Sequence, residues 1–67
     1  MKLYTKPELV EAKEALVSTI IKCQKSLLKL KANSSQKTLL TRRIKALTIS
    51  VDLIEDRISA LTNNEIK

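Results

Sequence analysis

One stretch of this chain constrains its fold more than any other. Leu40, Ile44, Leu47, Val51, Ile54, Ile58 and Leu61 follow one another at alternating spacings of four and three. On an α-helix such spacing draws one continuous apolar stripe, and a strand of period two could not bury it. A single stripe is not a fold, because its apolar face must be covered by another element. The first half of the chain carries a matching seam: Leu9, Lys13, Leu16, Ile20, Cys23, Leu27 and Leu30.

Between the two stripes lies the only internal cluster of turn residues, Lys31-Ala32-Asn33-Ser34-Ser35. Asn33 can take the left-handed conformation that ends a helix. Ser34 or Ser35 can cap the next one. At the other end of the first seam, Thr5 stands three residues before Glu8, the spacing of a capping box, and Pro7 falls in the first turn where its missing N–H costs nothing. These signals predict a first helix over about 6–31 and a second over about 36–62. Asn63 and Asn64 are read as its stop and residues 65–67 as a frayed end.

Two helices of this length, each about 37 Å long, joined by so few residues must fold back antiparallel. Folding about the turn sets Leu30 on Leu40, Leu27 on Ile44, Cys23 on Leu47 and Ile20 on Val51. Leu16 then meets Ile54, Lys13 meets Ile58 and Leu9 meets Leu61, so the two stripes agree in register along their whole length. Lys13 is the one polar member, and its alkyl stem can pack while the ammonium reaches water. Cys23 at a seam position is read as a small core hydrophobe. The fold class is therefore all-α: an antiparallel two-helix hairpin, with residues 1–67 as one domain.

A hairpin this small is marginal alone, and composition removes most remedies. One cysteine excludes an intrachain disulfide, and with no histidine the chain offers no zinc ligand set. Oligomerisation remains. The apolar positions outside the seams are Val10, Val17, Ile21 and Leu28 on the first helix, with Leu39, Ala46 and Leu53 on the second and Ile49 on its far side. Exposed rows of this kind mark an interface. They predict a homo-oligomer, a dimer forming a four-helix bundle or a tetramer, in the manner of a coiled coil.

The opening YTKPEL, Tyr4 to Leu9, and the segment SSQKTLLTRRIKAL, Ser34 to Leu47, resemble short helical proteins of Gram-positive bacteria that carry no named function. By architecture alone the hairpin is similar to the plasmid RNA-binding protein Rop. No motif matches, so that likeness implies the fold and transfers no functional residue.

The charges are segregated. The net charge is +6, yet from Lys22 to Lys45 there are eight basic residues and no acid, while the remainder has five basic and seven acidic residues. In the first helix this order suits the helix dipole, with Glu8, Glu11 and Glu14 early and Lys25, Lys29 and Lys31 late. In the second it runs against the dipole: Lys37, Arg42 and Arg43 come early, and Asp52, Glu55 and Asp56 late. Helix stability does not explain that order. Pairing two hairpins with their loops at opposite ends does, because each basic half then lies beside an acidic half.

The alternative is a polyanion site at the loop end: Lys29, Lys31, Ser34, Ser35, Lys37, Arg42, Arg43 and Lys45 around the start of the second helix. Against it, there is no aromatic for stacking in that region, and the helices are too long for a helix-turn-helix. The carboxylates sit at ordinary helix-surface spacings, and no constellation resembles a catalytic site. The sequence thus predicts a non-enzymatic interaction module, with nucleic-acid binding as its alternative and no cofactor. No apolar run reaches the 18–20 or so residues of a membrane span, and no secretory signal opens the chain, so a cytoplasmic protein is expected.

Overall fold

The computed structural model describes the backbone of residues 3–66 and the side chains of residues 3–63. It is an antiparallel hairpin of two helices, α1 (Lys6–Leu27) and α2 (Ser35–Ile66), and the described residues contain no strand. The hairpin measures 51 × 19 × 17 Å.

α1 begins where the capping box places it. Glu8 N donates to Thr5 Oγ1 at 3.3 Å, and Thr5 N donates back to Glu8 Oε1 at 2.9 Å. Thr5 Oγ1 also donates to Glu8 Oε1 at 3.1 Å. Two orphan amides at the helix start are thereby satisfied. α2 is capped by Ser34, whose Oγ accepts from Lys37 N at 3.1 Å. Ser35 is the first residue of the helix and not its cap.

Both distal ends differ from the sequence reading. α1 stops at Leu27, short of the expected residue 31. Lys29 N donates to Ser26 O at 3.0 Å and Leu30 N to Leu27 O at 3.2 Å, so the helix tightens into three-residue turns before the loop. No described residue has a positive φ, and Asn33 therefore does not end the helix in the left-handed form. The turn instead spreads over residues 28–34, which carries Leu30 across to its place on the seam. At the other end α2 continues through Ile66. Asn63 and Asn64 do not stop it, because asparagine only weakly disfavours a helix and neither glycine nor proline follows. The expected fraying of residues 65–67 is thus replaced by helix as far as 66, and residue 67 lies outside the described residues.

The two seams are the core. Every member of both stripes is buried or half-buried, including Leu30 in the turn and Cys23. Burial is nevertheless shallow. Only Leu9 and Val51 are buried among the described residues, and each keeps 7–8% of its surface exposed. Two helices shield each other along one line and leave both flanks of that line open.

Candidate assembly surface

The apolar residues outside the seams are all exposed in the hairpin. Val10 and Val17 are each 37% exposed, Leu39 61% and Leu53 64%. Ile21, Ile49 and Leu28 are exposed as well, Leu28 most of all. Leu28 keeps helical angles (φ −64°, ψ −22°) and donates its N–H to Gln24 O, so it still continues the row of α1 although it is the C-cap residue.

The two rows do not share a face. The residues of one helix are about 100° apart around its axis, and the two helices run in opposite directions. Val10, Val17 and Ile21 lie on the flank of α1 that also carries Lys13, and Lys13 Nζ reaches across the seam to Glu55 Oε1 at 3.8 Å. A shallow groove of about 380 Å³ on this face is lined by Lys13, Glu14, Val17, Ser18 and Ile21. Leu39, Ala46 and Leu53 lie on the other flank of α2, the side of Ile54 and Arg43. There Ile54 forms a groove of about 580 Å³ with Tyr4, Glu8, Leu9, Glu11, Ala12 and Ala15. Leu39 and Arg43 line a smaller one with Leu30, Gln36 and Leu40 at the loop end. The hairpin is therefore two-faced: a Val/Ile row of α1 on one side, and a Leu/Ala row of α2 beside the Ala12–Ala15 notch on the other. The notch went unnoticed in the sequence, although two alanines three residues apart next to a seam residue give a signal for it.

Four hydroxyls on these faces are satisfied within their own helices. Thr19, Thr41, Thr48 and Ser50 hydroxyls donate to the carbonyls of Ala15, Lys37, Ile44 and Ala46 at 2.8–3.0 Å. Covering them would therefore leave no unpaired donor, which is where burial of a hydroxyl becomes expensive.

The basic residues are brought to the loop half, as the fold requires, but they do not form one patch. Around the axis of α2, Lys37 and Arg43 fall on opposite faces of the hairpin, while Arg42 and Lys45 point away from α1. Lys29 and Lys31 belong to the turn. Ser34 is committed to capping, since its Oγ already holds Lys37 N. α2 has no acidic residue in its first turn and no basic residue in its last, so its charges do not serve its dipole, whereas α1 has Glu8 first and Lys25 last.

Glu8 is held below the ordinary carboxylate range by the backbone N–H of Thr5 and, second, by the Thr5 hydroxyl. No group of three His, Cys, Asp or Glu side chains is gathered closely enough to hold a metal ion among the described residues. No described helix is long and apolar enough to cross a membrane. The chain matches no family model, no curated protein and no solved structure.

Proposed function

We propose that this chain is an assembly module: a helical hairpin whose working unit is an oligomer of itself, acting through apolar contact and not through catalysis. The observation that carries this is the surface left open. A compact folded chain of 7.6 kDa exposes about 4,300 Å². This hairpin exposes 5617 Å², about 1,300 Å² more than that size scaling gives. Its radius of gyration is 15.3 Å, against about 11 Å for a compact domain of its length. Among the residues left open are the large apolar ones of both rows, Val10, Val17, Ile21, Leu28, Leu39 and Leu53, and a stable association covers about 800 Å² on each partner. The assembly is a dimer in which two hairpins make a four-helix bundle, or a tetramer in which both faces are covered. Its setting in this reading is the cytoplasm, as a regulatory or accessory protein.

A concentration series in the analytical ultracentrifuge tests the reading. A dimer or tetramer at micromolar concentration is expected, and a stable folded monomer there would sink it.

The eight cations between Lys22 and Lys45, with no acid among them, support nucleic-acid binding as the second reading. Their spread around α2 favours charge pairing between copies over one phosphate-tracking groove. Titration of labelled DNA and RNA at two salt concentrations separates the two. Binding that weakens steeply with salt supports the second reading, and no binding at low salt removes it.

A further inference from the structure

We infer that the α1 row Val10, Val17, Ile21 and Leu28 is a self-complementary dimer face, on which a second copy of this chain lies antiparallel with its loop at the opposite end. The inference rests on the assembly reading above and adds the face, the direction and the register.

The row has spacings of seven, four and seven, so it reads the same from either end. Reversing one copy about a two-fold axis between Val17 and Ile21 sets Val17 of each chain on Ile21 of the other. The same operation sets each Val10 on the other chain's Leu28. Such a contact is isologous and closes at two subunits. The position of the axis matters. It falls at the level of the Ile20–Val51 layer, the middle of the hairpin, so two reversed copies overlap along their full length. A row centred near one end would leave half of each hairpin uncovered.

Local shape and charge agree with this register. The groove on this face lies at the proposed axis, and Ser18 is small enough to admit the facing Val17 and Ile21. At the rim, Glu14 comes within one residue of level with the other chain's Lys25, beside Gln24, once on each side of the axis. Over the whole length the acid-free segment Lys22–Lys45 lies beside the acid-rich half of its neighbour. A parallel pair would gather two such basic segments at one end, a repulsive arrangement at ordinary salt. Thr41 and Thr48 of α2, on the same face, already donate to their own helix and can be covered.

Cross-linking tests the register directly. On a Cys23→Ser background, chains carrying Val10→Cys and chains carrying Leu28→Cys are mixed and oxidised. The inference predicts a mixed disulfide dimer far in excess of either self-linked species. Predominant self-linking of the Val10→Cys chain, or no mixed link in a sample that sediments as a dimer, overturns it while leaving self-assembly intact. As a second measurement, Ile21→Glu is compared with Leu53→Glu by sedimentation. Ile21→Glu should weaken dimerisation at least 100-fold and Leu53→Glu should not. The reverse result moves the dimer to the α2 face and contradicts the inference. A folded monomer for the unaltered chain contradicts both the inference and the reading beneath it.

Discussion

Glu8 shows how much one side chain does at the start of this fold. It accepts from both the amide and the hydroxyl of Thr5 while its own N–H is held by the same hydroxyl. Because the folded state lowers its pKa, its contribution is present above the unfolded value and is lost as pH falls through the folded one. Acid should therefore fray the first turn of α1 at a pH below the usual carboxylate midpoint. Amide exchange of Glu8 and Leu9 followed against pH checks this, and Glu8→Gln should flatten that dependence. Thr5→Ala should cost about 1 kcal/mol in urea unfolding, the usual loss for a helix cap. Lys13 and Glu55 are expected to matter less. Their charged groups stand 3.8 Å apart, and both side chains are over a third exposed, so Glu55→Gln should change stability by less than about 0.5 kcal/mol. The cap was legible in the sequence because its signal is local: two residue types at a fixed spacing. The ion pair across the seam was not, since it depends on how the two helices rotate against each other.

At the scale of the helices, the four-three rhythm decided almost everything, and every seam residue it named is buried or half-buried. The elements failed to match only at their distal ends. Asn33 suggested a left-handed stop, but the chain closes the turn with right-handed three-residue bonds between residues 26 and 30. Asn63 and Asn64 suggested another stop, and α2 passes through them. In both cases a weak propensity of asparagine was outweighed, first by the need to bring Leu30 onto Leu40 and then by the absence of any real breaker. Leu9 packs at the open end and is one of the two most buried of the described residues. Leu9→Ala should destabilise the fold by about 2 kcal/mol, the low end for a buried leucine, because the layer is open on both flanks. Chemical denaturation at fixed protein concentration measures it, since the stability of the proposed oligomer would depend on concentration.

The whole molecule is a slender, two-faced rod, 51 × 19 × 17 Å, with one line of core. Residue spacing alone identified which apolar residues the hairpin leaves uncovered, but it grouped Val10, Val17, Ile21 and Leu28 with Leu39, Ala46 and Leu53 as one interface. The structure separates them onto opposite faces, because the helices run in opposite directions and their rows turn away from each other. A single pairing of two hairpins covers one row per chain, and covering both needs a larger assembly. In the proposed assembly the charge order of α2 gains a role that its dipole does not give it. Basic and acidic halves come together only when neighbouring copies run in opposite directions, and the association should weaken as salt rises. The most direct test is sedimentation of the unaltered chain across the low micromolar range. The account predicts a concentration-dependent equilibrium dominated by dimer or tetramer. A single folded species of 7.6 kDa at every concentration would contradict it.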